Sequence, residues 1–213
     1  VTTKLTLYNG ALLVCKERFL ASLTEEREPR RLLDHVWDNG GVKSCLEEGQ
    51  WHFAMRTVQI DYDPAIEPEF GFRRAFEKPS DWLRTSALCA DDYFHVPLTR
   101  YSDESGYWYA DVDTLYVRFV SNDSSYGQDL NKWPESFARF VETHFASQII
   151  GKLSGGAERE KEIMAKRRDL LLDAKSKAAQ AEPTRFPAQG NWSLSRQGSG
   201  GGRDRGNRGN LIG

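Results

Sequence analysis

With 213 residues, 39% hydrophobic and 12% aromatic, the chain has enough apolar material for a real core and reads as one domain carrying an insert. Its formal charge of −2 hides an asymmetry: five arginines against one acid make Pro183 to Gly213 a +4 segment and leave about −6 on the body. No apolar run nears the roughly 18 residues of a membrane span, and VTTKLTLYNG lacks the basic, apolar, small-residue succession of a secretion signal, so the expectation is a soluble protein not exported by that route.

Three short helices are expected first. Leu12, Leu13, Phe19 and Leu20 form a stripe over Ala11 to Ser22; Leu32, Leu33, Val36 and Trp37 repeat it over Arg30 to Trp37 before Gly40 and Gly41; Val42 to Glu48 closes at Gly49. None is long enough to stand alone, so their apolar faces must meet one another or a later helix.

From Arg56 the period becomes two. Val58, Ile60 and Tyr62 alternate with polar residues, as do Phe70, Phe72 and Phe76, with Pro64 and Pro68 marking the loop between. Further strands are predicted at Thr85 to Cys89, Tyr93 to Leu98, Tyr107 to Ala110 and Thr114 to Val120, bounded by the turn-rich stretches Ser102 to Gly106 and Ser121 to Gln128. Helix returns at Trp133-Pro134-Glu135, where Pro suits a first turn and Glu complements the helix dipole. Its stripe is Phe137, Phe140, Val141, His144, Phe145, Gln148 and Ile149, broken at Gly151 and the Ser154-Gly155-Gly156 cluster. A last helix, Ala157 to Ala181, stops before Pro183.

Catalytic signatures are sparse. Cys15, Cys45 and Cys89 are odd in number and spaced neither as a disulfide framework nor as a zinc site, and reduced core thiols are the plainer reading. Asp61 with Asp63, and Asp111 with Asp113, would place paired carboxylates on one strand face, the minimum for a metal or an acid/base couple; solvated turn residues explain them more simply. His35, His52, His95 and His144 fit no metal-binding spacing, and His144 on an apolar stripe reads as a hydrogen-bonded core or interface histidine. No nucleophile elbow or phosphate-cradling glycine loop occurs. The expectation is a protein without catalytic residues, metal or cofactor.

The Gly- and Arg-rich end, RFPAQGNWSLSRQGSGGGRDRGNRGNLIG, has too few apolar groups to offset the entropy of ordering it alone. Arg203, Arg205-Gly206 and Arg208-Gly209 resemble segments that bind RNA through charge and stacking, with Trp192 as a stacking face. It also reads as a docking arm in which Arg185, Phe186, Trp192, Leu194, Arg196, Arg203, Arg205, Arg208, Leu211 and Ile212 meet a neighbouring protein. A solvated end is the third reading.

Several stretches, in order, resemble one family. Gln50-Trp51-His52-Phe53-Ala54-Met55-Arg56 after three short helices is similar to the aromatic turn of the tail tubular protein A family, the head-to-tail adaptors of short-tailed bacteriophages and related prophages. Phe70-Gly71-Phe72 with Lys78-Pro79-Ser80-Asp81-Trp82-Leu83-Arg84, Asp113 to Val120 with Trp133-Pro134-Glu135-Ser136-Phe137, Lys166 to Ala179, and Gly190 to Arg196 continue the likeness over most of the chain.

The resemblance implies an α+β fold: a helical bundle built from N- and C-terminal helices, an inserted antiparallel β domain and an extended C-terminal arm. The expected division is 1–55 and 133–182 for the two halves of the helical part, 56–132 for the insert and 183–213 for the arm. It further implies a structural, non-enzymatic part of the virion neck, assembled in the host cytoplasm as a ring, usually a dodecamer. Implied partners are the portal protein, which the arm would grip, and a nozzle or other downstream tail protein. DNA would be transient cargo in the pore, and no membrane is involved. The alternative, from another class, is an RNA- or DNA-binding module working through the Arg-Gly segment.

Overall fold

The computed structural model describes residues 2–153 and 156–181. The protein is α+β, with helices at both ends of the described chain and two antiparallel three-stranded sheets between them.

Helix α1 (Lys4–Cys15) begins at a capping box, in which the Thr6 amide donates to Thr3 Oγ1 at 3.2 Å and the Thr3 amide to Thr6 Oγ1 at 2.8 Å. It stops at Lys16, which takes a left-handed backbone (φ 58°). The expected helix from Ala11 to Ser22 is therefore displaced toward the N-terminus. The buried stripe is Leu7, Tyr8, Ala11, Leu12 and Cys15, while Leu13 and Phe19 face solvent. Helices α2 (Glu28–Asp38) and α3 (Gly41–Glu47) lie where periodicity puts them.

Helix α4 (Glu135–Leu153) is buried on most of its circumference, and α1, α2, α3 and α5 (Ala157–Ala181) all pack against it. That explains its apolar breadth, since a helix enclosed by neighbours has no polar face to spare. It runs through Gly151, where a break is expected from the sequence. Tyr8, Trp37 and Phe145 meet at 6.1–6.4 Å between ring centroids, joining α1, α2 and α4.

The strands fall between α3 and α4 in the chain. One sheet has the order β1 (Met55–Asp61), β6 (Thr114–Ser121), β3 (Trp82–Cys89); the other has β2 (Arg74–Glu77), β5 (Tyr107–Ala110), β4 (Ser102–Glu104). Phe76, Trp108 and Ala110 of the second sheet close on Leu88, Leu115, Val117 and Phe119 of the first, forming a core of their own. At the opposite end of the first sheet Met55, Leu83 and Val120 belong to the helical core instead.

Three expectations are corrected here. Phe70 and Phe72 lie in the loop before β2, where Gly71 (φ 89°) turns the chain and Phe70 is 85% exposed. Tyr93 to Leu98 is a turn held by one bridge, Cys89 to Pro97, because the Asp91 carboxylate accepts from the amides of His95 (2.8 Å) and Val96 (2.7 Å). Ser102 to Glu104, read as a turn, is the polar edge strand of the second sheet, and Ser105-Gly106 alone make the turn.

Candidate functional site

Sequence-distant aromatic residues come together where the helices meet the first sheet. Trp51 follows α3 and Phe53 lies in the 3-10 turn His52–Ala54; Trp133 and Phe137 stand about 80 residues later at the start of α4. Trp51 and Phe53 lie 4.7 and 4.9 Å from Phe137, and Trp133 meets Phe137 edge-on at 4.9 Å. Both indole N–H groups are satisfied: Trp51 Nε1 donates to the carbonyls of Cys45 (3.2 Å) and Leu46 (3.1 Å), and Trp133 Nε1 to that of Gly127 (2.8 Å). A cavity of about 470 Å³ opens beside this cluster, walled by His52, Phe53, Pro134, Leu170, Lys177 and Ala181.

A polar clamp backs the same junction. Arg56 on β1 pairs with Asp81 at 2.8 Å, and Asp81 also accepts from the Ser121 hydroxyl of β6. Burial pushes the Asp81 carboxyl up, yet the Ser121 hydrogen bond and the Arg56 guanidinium outweigh it and hold the carboxyl below its ordinary value. Beyond the clamp, Gly127 sits where a Cβ would strike the Ser121 carbonyl and come within 2.8 Å of Leu46. Nothing in the local sequence pattern marks Arg56, Asp81 and Ser121 as partners, although Arg56 and Asp81 each lie in one of the stretches that carry the resemblance described above.

His144 has the buried, hydrogen-bonded role expected of it. Arg167 Nε donates to its Nδ1 at 3.0 Å, which leaves the ring proton on Nε2, facing Ser44 Oγ at 3.3 Å. The Ser44 hydroxyl in turn donates to the Gly41 carbonyl at 3.0 Å, and Arg167 is paired with Glu48. The proton thus runs toward the serine, the reverse of what general-base activation of a hydroxyl requires. Burial, with the Arg167 charge, holds the His144 pKa down to about 4, so the ring stays neutral and ties α3, α4 and α5 together. Two residues earlier, Glu142 packs its carboxyl over Gly10 of α1. Burial and the nearby Glu135 push its pKa up to about 7, against the pull of Arg139 and Lys166.

The paired aspartates do not share strand faces. Asp61 ends β1 and accepts from Thr114 Oγ1 at 2.9 Å; Asp63 caps the following turn through the Ala65 amide at 2.8 Å. Asp111 and Asp113 occupy the β5–β6 turn, where Arg100 approaches Asp111 at 3.4 Å and Arg74 approaches Asp113 at 3.1 Å. Asp61 closes a strand and the other three lie in turns, all at one end of the sheets, and Asp111 and Asp113 are neutralised by arginine. No grouping of three or more His, Cys, Asp or Glu side chains suited to a metal occurs among the described residues. His35 is bonded to Asn39, His52 lies exposed against Phe53, and His95 stacks on Tyr93. Cys15, Cys45 and Cys89 are buried thiols joined in no disulfide; burial pushes Cys15 up to about 11 and Cys45 further in the same direction.

The ten residues assigned to the docking arm, Arg185, Phe186, Trp192, Leu194, Arg196, Arg203, Arg205, Arg208, Leu211 and Ile212, lie outside the described residues. No helix among the described residues is long and apolar enough to cross a membrane. No family model matches the chain, and no curated protein matches it.

Proposed function

We propose that this protein is a structural head-tail adaptor of a bacteriophage: a helical bundle with an inserted β domain, assembled as a ring between the portal and the next tail component. The observation that carries this reading is the junction. Gln50 to Arg56 and Trp133 to Phe137 resemble the adaptor family separately, and Trp51, Phe53, Trp133 and Phe137 from those two stretches form one aromatic cluster. Residues shared for a family reason should converge on a common architectural task, and bracing an inserted β region on a helical layer is such a task.

The chemistry of the described residues is compatible with a joint. The Ser44–His144 pair is oriented for structure, and the aspartates serve turns and ion pairs. A ring joint relies on large repeated interfaces, and a body near −6 would not grip passing DNA. In this reading the segment 183–213 meets acidic groups of the portal, with Trp192 as apolar anchor, and the β insert meets the nozzle or another downstream protein.

Imaging of virions carrying a labelled copy of the chain is the test, with density expected in a neck ring against the portal. Deletion of 185–213 should leave a folded body that fails to attach to filled capsids; normal attachment would refute the docking role. If the full chain instead binds single-stranded RNA or DNA tightly, with affinity falling steeply as salt rises, and is absent from the neck, the Arg-Gly segment is a nucleic-acid arm and the adaptor reading fails.

A further inference from the structure

Helix α5 passes the start of α4 without closing on it. Ala174, Ala178 and Ala181 stand across from Phe53, Pro134 and Phe137, and the space these small side chains leave is the cavity of about 470 Å³ beside the aromatic cluster. Its α5 wall extends from Leu170 to Ala181, the last residue of that helix, about 16 Å along the axis. The floor is apolar, since Trp51 and Phe137 are each 1% exposed. Protein interiors fill to nearly crystalline density, so a gap of this width at the edge of a core is a groove left for something else to cover. One acid from each helix stands at the rim: Glu135 on α4 pairs with Arg139 at 3.0 Å, and Asp173 on α5 with Lys177 at 2.7 Å. Exposed pairs of this kind contribute little and exchange partners readily.

The sequence that follows α5 has the chemistry such a groove takes. Residues 182–188 read EPTRFPA, which sets Phe186 beside Pro187, with Arg185 before it and Pro183 three residues upstream. Proline fixes its own φ, so this stretch gives up less freedom on docking than an ordinary one. Aromatic-lined grooves that receive proline-containing segments are a recurring mode of peptide recognition. Arg185 meets a carboxylate on either side of this one. The same stretch bears on whose groove it enters. A chain that turns back on its own helix commonly does so at a left-handed glycine; here the position after Ala181 is Glu182, which Pro183 restricts to extended conformations. Those constraints oppose an immediate return.

We propose that the groove between α4 and the end of α5 receives residues 183–187 of a neighbouring copy of this chain. Phe186 enters against Trp51, Phe53 and Phe137, and Arg185 lies between Glu135 and Asp173. Donor and receiver are different surfaces, so each copy gives its segment to one neighbour and accepts that of the other. Such a head-to-tail contact repeats from copy to copy and closes as a ring. Five residues beyond Ala181 reach at most about 17 Å, so adjoining copies meet beside this groove. Residues 188–213 stay available to the portal. The inference deepens the proposed ring by naming one of its contacts, and it rests on that reading.

Full-length chains carrying single added cysteines test it, since Cys15, Cys45 and Cys89 are buried. Ser136→Cys puts a thiol in the groove wall, and Ala188→Cys puts one just past the docked segment. An oxidised equimolar mixture should form the mixed dimer at least tenfold faster than Leu13→Cys, an exposed position on α1, mixed with the same Ala188→Cys chain. Adding Phe186→Ala to the donor, or Ala178→Leu to the receiver so that the groove is filled, should each slow the mixed dimer at least tenfold while circular dichroism stays that of the wild type. A synthetic peptide EPTRFPAQ should compete with the crosslink and EPTRAPAQ should not. Crosslinking no faster than at position 13, or insensitive to Phe186→Ala, would overturn the proposal. So would a chain carrying both Ser136→Cys and Ala188→Cys that oxidises only within the monomer, since the groove is then not filled by a neighbour. If the crosslink fails while images still show a neck ring, only this contact falls; a Phe186-dependent crosslink in a protein absent from the neck removes the adaptor reading and leaves the contact.

Discussion

Two groups on α4 perturb stability in opposite directions over the same pH range. Glu142 has a folded pKa of about 7 against 4.5 unfolded, so the folded state holds the proton more tightly and stability is lost as pH rises through that interval. His144 has a folded pKa of about 4 against 6.5, so the unfolded state holds the proton more tightly and stability is lost as pH falls. Between pH 4.5 and 6.5 the two slopes cancel, and wild-type stability should be nearly level. Glu142→Gln removes one slope. Each pKa unit corresponds to about 1.4 kcal/mol, so the variant should gain about 2 kcal/mol between pH 4.5 and 6.5; with the Glu142 contribution reduced by solvent screening of its partly exposed carboxyl, it should exceed the wild type by about 1–2 kcal/mol at pH 8. Urea unfolding followed by tryptophan fluorescence at fixed ionic strength measures both curves. A variant no more stable than wild type at pH 8, or a variant profile as flat as the wild-type one, would refute the reasoning.

Phe137→Ala removes the ring on which Trp51, Phe53 and Trp133 converge, and should cost about 3–5 kcal/mol in denaturant unfolding. Gly127→Ala drives a methyl toward the Ser121 carbonyl and Leu46 and should lower the thermal midpoint, with a cost of about 1–3 kcal/mol. Asp81→Asn breaks the charged hydrogen bonds to Arg56 and Ser121, costing about 1.5–3 kcal/mol at neutral pH. Because the Asp81 carboxyl is held below its ordinary value, that difference should shrink as pH falls below the usual carboxylate range, which acid titration of both proteins would reveal.

Helices α2, α3 and α5 were legible because their apolar periodicity agrees with the packing, and β5 and β6 because their alternation is paired by neighbours. The same rule misled at α1, where Leu12, Leu13, Phe19 and Leu20 suggest a stripe but Lys16 turns left-handed between them; the Thr3 to Thr6 capping box held the better signal. It misled again at Phe70, Phe72 and Tyr93 to Leu98, where alternation without a partner strand is only a loop with aromatic residues. The edge strand Ser102–Glu104 was hidden for the converse reason, since backbone pairing to β5 fixes it and its side chains carry no apolar signal. Of the junction, Trp51 and Phe137 stood out as aromatic, but their meeting depends on a strand topology that no local pattern encodes. The histidine on α4 was read correctly as buried, whereas the direction of its hydrogen bonds depends on Arg167, 23 residues away.

The central position of α4 bears on how the chain is made. Helices α1 to α3 are synthesised first, yet the helix they all pack against starts at Glu135, 80 residues after β1 begins at Met55. At about 5–20 residues per second the ribosome leaves Trp51 uncovered for roughly 4–16 seconds, and Leu46, Leu33 and Leu7 for progressively longer. During that interval the β core, whose strands are complete by Ser121, can close first. The nascent chain would then fold from its middle outward, and its leading helices are the segment most exposed to chaperones or to premature association on crowded polysomes.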